Sequence, residues 1–153
     1  MFLRVIVALS FLLVASMGAS NSARANWADA GYDRGGMMTE YQQQIELANS
    51  MNVLVPIYGR CDSACTMKLG ARNVCVSRDA SLFFHSAFNV HTHEKFSLAN
   101  DVLMASYPPR IRRWVIRHHA LDSVEKVTHM SGREAIALGI PECRKNPQSV
   151  FWR

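Results

Sequence analysis

Acidic residues are missing from the first 25 positions, and beyond them no long apolar run occurs anywhere in the chain. The second absence excludes a membrane-spanning helix in the body of the protein, since such a helix needs ~20 predominantly apolar residues. The first leaves Arg4 as the lone charge ahead of an apolar stretch, Val5 to Ala19, relieved only by Ser10, Ser16 and Gly18. That stretch is itself too short for a span. After it, Ala23-Arg24-Ala25 has the small-x-small form that signal peptidase cuts. Residues 1–25 are therefore expected to be a signal peptide cut at Ala25–Asn26, and residues 26–153 to form one domain. The product is expected to be periplasmic or secreted, with no stable membrane insertion.

A large excess of one charge is missing too. The whole chain carries +5, and Arg4 and Arg24 belong to the leader, so residues 26–153 hold 15 basic against 12 acidic side chains, or +3. The densest basic stretch, RIRRWVIRHH (110–119), spaces Arg110, Arg113 and Arg117 as one solvated helix face, with Ile111, Trp114 and Val115 turned inward. Nothing resembles a nucleic-acid module, and nucleic acid is not expected as a partner. Internal repeats and low-complexity stretches are also absent.

Cysteine is scarce: Cys61, Cys65, Cys75 and Cys143 are the full set of four. In an exported chain they are disulfide candidates, and four cysteines allow three pairings among which the sequence does not choose. Cys-x3-Cys beside scattered histidines matches structural zinc spacing only loosely. His85, His91 and His93 offer a second metal motif, with His91 and His93 on one side of an extended stretch, but two histidines in a polar loop are more simply solvated. No metal and no cofactor are expected.

The elements alternate. NWADAGYDRGG (26–36) reads as a loop, and Gly35-Gly36 as the turn before a helix that Thr39 caps, with Tyr41, Ile45, Leu47 and Ala48 near helical spacing. VLVPIYG (53–59) reads as a buried strand, though Pro56 argues against full pairing on both sides. A short helix follows from Ser63, then strands in NVCVS and SLFFHSA linked by Arg78-Asp79-Ala80. A helical region from about Ser97 to His119 is interrupted at Pro108-Pro109. DSVEKVTHM (122–130) reads as one more short helix. SGREAIALGIPE reads as a capped helix opening at Ser131, with Glu134 three residues on and Gly139 at its end. Such alternation defines an α/β protein.

Within that order, a glycine pair (Gly35-Gly36) opens a helix, a strand leads into Cys61-Asp62-Ser63-Ala64-Cys65, and Phe84-His85 ends a later strand. Met130-Ser131 through Gly139-Ile140 comes last. The set resembles the Clp-peptidase/crotonase superfamily, in particular an exported bacterial branch with a Cys-x-Ser-Ala-Cys turn. The resemblance implies a repeated β-β-α spiral, here N-terminally shortened, because only Asn26 to Arg34 precede the glycine pair. It also implies a serine peptidase: Ser63 as nucleophile, His85 as general base, and the N–H groups of Gly36 and Ala64 as oxyanion hole. Peptide or protein substrates and a homo-oligomer follow from the same likeness.

The residue types suit that chemistry. A serine hydroxyl needs a neighbouring imidazole to take its proton, and oxyanion donors need an approach free of side chains. Each residue also has a plainer explanation. Ser63 can cap the following helix, His85 can be a strand histidine bonded to backbone, and the glycines can be a flexible turn. Clp-type peptidases carry an aspartate where this chain has Val127, so Glu125 or Asp122 is the candidate third member. The rival reading is a catalytically inactive binding or assembly protein that keeps the fold.

Overall fold

A computed structural model describes residues 31–144, so the expected signal peptide and its cut at Ala25–Asn26 lie outside the described residues. Two stretches of the chain repeat one plan: strand, sharp bend, strand, helix. In the first, β2 (Val55–Ile57) bends at Tyr58-Gly59 into β3 (Arg60–Asp62), and a 3-10 helix, Ser63–Gly70, follows. Gly59 adopts φ +55°, a left-handed conformation in which glycine meets no penalty. In the second, β4 (Val74–Val76) turns through residues 77–80 into β5 (Ser81–Phe84), and α2 (Ser97–Ser106) comes after a loop.

The second stretch lies beside the first, strand on strand. β2 pairs with β4 in parallel, Val55 opposite Val74, to make a two-stranded sheet. β3 pairs with β5 in parallel, Cys61 opposite Leu82, inside a four-stranded sheet whose order is β1 (Tyr32–Asp33), β3, β5 and β6 (Thr128–Ser131). Each stretch thus gives one strand to each sheet. β6 (Thr128–Ser131) closes the larger sheet antiparallel to β5, with Leu82 opposite Met130. The architecture is mixed α/β, as the alternation implies.

Burial explains these strands. Val55, Ile57, Leu82, Phe84 and Met130 are all at most 2% exposed and alternate with less buried neighbours, the period of a strand with one face on the core, whereas β4 is buried throughout and reads as a continuous apolar run. Among the described residues β2 has a partner on one side only, which accommodates Pro56 and its missing N–H. α3 (Pro109–Arg117) begins at the proline that ends α2's region, and it buries Ile111, Trp114 and Val115 while Arg110, Arg113 and Arg117 face solvent. α4 (Gly132–Ala137) carries the expected cap: Ser131 Oγ accepts from the Glu134 N–H, and Glu134 accepts from the Ser131 N–H. Gly139 follows at φ +100°.

Four expectations need correction. Residues 26–36 are not all loop, because Tyr32–Asp33 form β1, which pairs in parallel with β3 and supplies a short first strand before the glycine pair. α1 runs Met38–Ser50 with Met37 at its N-cap position, so Thr39 lies inside the helix and caps nothing. Leu47 is exposed, while Tyr41, Ile45 and Ala48 form the buried stripe. DSVEKVTHM is not a helix: residues 121–127 are turn and bend, and the rest is β6. There the pairing available along β5 wins over a weak helical pattern, since β-type preference reflects the packing partner more than the residue itself. No helix among the described residues is long and apolar enough to cross a membrane.

Candidate functional site

The turn after β3 is restrained from several sides. Ser63 sits at φ +55°, a left-handed conformation that costs a non-glycine residue about 1–2 kcal/mol. Several contacts hold it there. Cys61 and Cys65 form a disulfide across it with their Cα atoms 5.4 Å apart, and both residues are buried. The Thr66 hydroxyl donates to the Ser63 carbonyl at 2.7 Å, and the Tyr107 hydroxyl, at the end of α2, donates in turn to Thr66 Oγ1 at 2.7 Å. Burial pushes the Tyr107 phenol well above its ordinary value, so it remains a donor. Asp62, not Ser63, occupies the N-cap position of the 3-10 helix, and no side-chain cap bond forms. Ser63 does not cap the helix it opens.

The glycine pair packs directly on this turn. A Cβ on Gly35 would lie 2.5 Å from the Asp62 carbonyl oxygen and 3.0 Å from both Ala64 N and Ser63 Cβ. Gly35 also adopts φ +75°, so both space and conformation require glycine there. Around Gly36, by contrast, a Cβ would meet nothing within 4 Å, and Gly36 lines an open pocket. The Gly35 N–H is already engaged, donating to Asp33 at 3.0 Å. The same carboxylate accepts from the Tyr41 hydroxyl and from Lys68 Nζ, the latter at 2.6 Å. Burial works to raise the Asp33 carboxyl, but hydrogen bonds from Lys68, Tyr41 and Gly35 outweigh it and hold the group below the usual carboxylate range. β1, α1 and the 3-10 helix are thereby tied together behind the glycine pair.

His85 follows the last residue of β5 and faces the same pocket. The cavity has a volume of about 740 Å³, and Gly35, Gly36, Ser63 and His85 all line it. Its remaining wall is largely apolar, with Met37, Met38, Phe88, Phe96, Leu98 and Val102. The His85 Nδ1 lies 2.8 Å from the Ser86 carbonyl oxygen. A carbonyl only accepts, so this contact places a proton on Nδ1, and in the neutral ring Nε2 then holds the lone pair. Ser63 and His85 make no direct hydrogen bond in this structure.

The fold thus brings Ser63, His85 and Gly36 to the wall of one pocket, while Ala64 is buried behind it, its N 3.0 Å from where a Gly35 Cβ would lie. It does not bring the two candidate acids to His85. Asp122 pairs with His119 at 2.9 Å and Glu125 accepts from Ser123 at 3.0 Å, both near the surface. His91 lines the pocket mouth and His93 stacks on Phe88 with ring centroids 5.5 Å apart. Among the described residues, no three His, Cys, Asp or Glu side chains group as metal ligands do. Cys75 and Cys143 form the second disulfide, Cα atoms 4.8 Å apart, away from the Ser63 turn.

Sequence reasoning missed Asp33 and the Ser86 carbonyl. Asp33 stands two residues before Gly35, and an Asx side chain bonding a backbone N–H two residues on is a recognisable turn signal. The Ser86 carbonyl carries no signal at all, because every residue has one. No family model matches the chain, and no curated protein matches it.

Proposed function

We propose that this is an exported serine-hydrolase-like protein of the Clp-peptidase/crotonase type, a peptidase whose Ser63 and His85 act as a dyad. The observation that carries the reading is the left-handed Ser63 turn opening onto the pocket that His85 also lines, with the glycine pair packed against it. The strand-strand-helix stretches that lie side by side support a β-β-α spiral. The two disulfides, which persist in oxidising compartments, support export.

In this reading Ser63 Oγ attacks a peptide carbonyl as its proton passes to His85 Nε2. The oxyanion forms towards the N–H groups of Gly36 and Ala64, and His85 then returns the proton to the leaving amine. Water repeats the sequence on the acyl-enzyme. The apolar wall of the pocket suits an apolar substrate side chain. Loss of the aspartate in a serine-protease triad lowers turnover by about four orders of magnitude yet leaves rates above background. A slow enzyme is expected here.

A fluorophosphonate probe tests the proposal. It should label the purified processed protein and neither Ser63→Ala nor heat-unfolded wild type. Labelling that survives Ser63→Ala defeats the dyad. Absence of labelling in folded wild type leaves the inactive binding or assembly protein, which the missing Ser63–His85 hydrogen bond and, among the described residues, the lack of a carboxylate bonded to His85 would favour.

A further inference from the structure

The peptide group that holds the His85 ring is itself held from the other side. The Ser86–Ala87 peptide presents its carbonyl to His85 Nδ1 at 2.8 Å, and its N–H donates to Oδ1 of Asn100, on α2, at 2.7 Å. A backbone N–H can only donate, so the orientation of the Asn100 amide is forced. Its Nδ2 donates to Ser86 Oγ at 2.9 Å and to the Leu121 carbonyl at 3.4 Å. Ser86 is fully buried, and its N–H donates to the Ser123 carbonyl at 2.8 Å. Turning this carbonyl away from His85 would break the bond from the Ala87 N–H to Asn100, whose amide is itself held by Ser86 Oγ and the Leu121 carbonyl.

We propose that Asn100 is a positioning residue of this site, doing through the Ser86–Ala87 peptide what a carboxylate does in a serine-histidine-acid triad. The inference rests on the dyad reading of Ser63 and His85. Hydrogen bonds in series polarise one another. Acceptance of the Ala87 N–H by Asn100 moves electron density across the amide to the Ser86 carbonyl oxygen, which becomes a better acceptor for Nδ1–H. The ring is locked with its lone pair on Nε2, the tautomer that can take the Ser63 proton. Once it does so, the bond from Nδ1–H to the carbonyl becomes charge-assisted and strengthens. The amide chain offers dipoles rather than a full charge, so it orients the base more than it stabilises the imidazolium.

Two readouts on the processed protein test this: the rate of Ser63-dependent fluorophosphonate labelling, and the imidazole ¹⁵N shifts of His85 at alkaline pH, which report its tautomer. Wild type should show the Nδ1-protonated tautomer. Asn100→Ala should label about tenfold more slowly, the loss of roughly one hydrogen bond, with His85 shifting towards Nε2–H. Asn100→Asp keeps an acceptor for the Ala87 N–H and should restore both the tautomer and most of the rate. An Nε2–H tautomer in wild type overturns the inference even if Asn100→Ala fails to fold. Slow labelling of Asn100→Ala with the tautomer unchanged, or labelling at the wild-type rate, overturns it as well. Absence of any Ser63-dependent labelling in wild type instead removes the dyad itself, a separate failure.

Discussion

Cys61–Cys65 and Cys75–Cys143 are bonds of one kind in two settings. The first spans four positions and encloses Ser63; the second spans 68 and joins β4 to the chain beyond α4. Closing a loop removes freedom from the unfolded chain roughly as the logarithm of its length. The long bridge is thus worth about 4 kcal/mol to global stability and the short one about 2 kcal/mol. Around Cys143 the backbone is already fixed, by Val76 N–H to Pro141 O at 2.9 Å, Cys143 N–H to Val76 O at 3.0 Å, and the Arg78–Glu142 pair. Around Ser63 the backbone is in the left-handed conformation that disfavours a non-glycine residue. The bridge that stabilises the whole chain less therefore shapes the site more, because it opposes a local penalty rather than a distant loop.

Removing the long bridge by Cys75→Ala with Cys143→Ala should have the largest effect on stability. A loss of about 4 kcal/mol in urea unfolding is expected, with Ser63 labelling of the folded fraction close to wild type. Collapse of labelling in that folded fraction would erase the distinction between the two bridges.

Removing the short bridge by Cys61→Ala with Cys65→Ala should lower stability by about 2 kcal/mol. It should nevertheless reduce labelling more than the first pair does. The order of the two pairs is expected to reverse when the readout changes from unfolding to labelling, and an unchanged order would break the comparison.

Ser63→Gly sharpens it further. Glycine adopts φ +55° freely, so relief of the left-handed strain should exceed the added freedom of the unfolded chain, and stability should rise by about 1 kcal/mol while labelling vanishes. Ser63→Ala keeps the strain and should show no such gain. Equal urea midpoints for the two variants would mean that the turn stores no strain.

The smallest effect concerns the other side of the turn, where Asp33 bonds Gly35, Tyr41 and Lys68. Its carboxyl is held below the usual range in the folded protein. Its contribution is therefore complete above its unfolded value near pH 4 and fades as pH falls through the lower folded value. The stability difference between wild type and Asp33→Asn should shrink on acidification below about pH 4. A difference constant over that range, measured by urea unfolding at each pH, would remove Asp33 as an acid-sensitive tie.

Much of the local structure was readable from residue order. The capping box of Ser131 and Glu134, the inward face of α3, the interruption at Pro108-Pro109 and the one-sided pairing of β2 at Pro56 all appear as expected. The errors fall where a local pattern had a tertiary competitor. Tyr32–Asp33 became a strand because β3 offered a partner, and 128–131 became one because β5 did.

By itself, the sequence determined which residues were available for chemistry and roughly where along the chain they fell. Those features depend on spacings of two to four residues, set by the strand and helix periods and by short hydrogen-bonded caps. The tertiary structure alone decided which cysteines pair, since the partners are up to 68 positions apart. It decided that Gly35 rather than Gly36 is the residue with no room for a side chain, since the obstacle is the backbone of Asp62 and Ala64 at the junction of β3 and the 3-10 helix. It also decided that His85 leans on a peptide carbonyl rather than on Asp122 or Glu125. A side chain announces itself in the sequence, whereas every residue carries a carbonyl and only folding selects one.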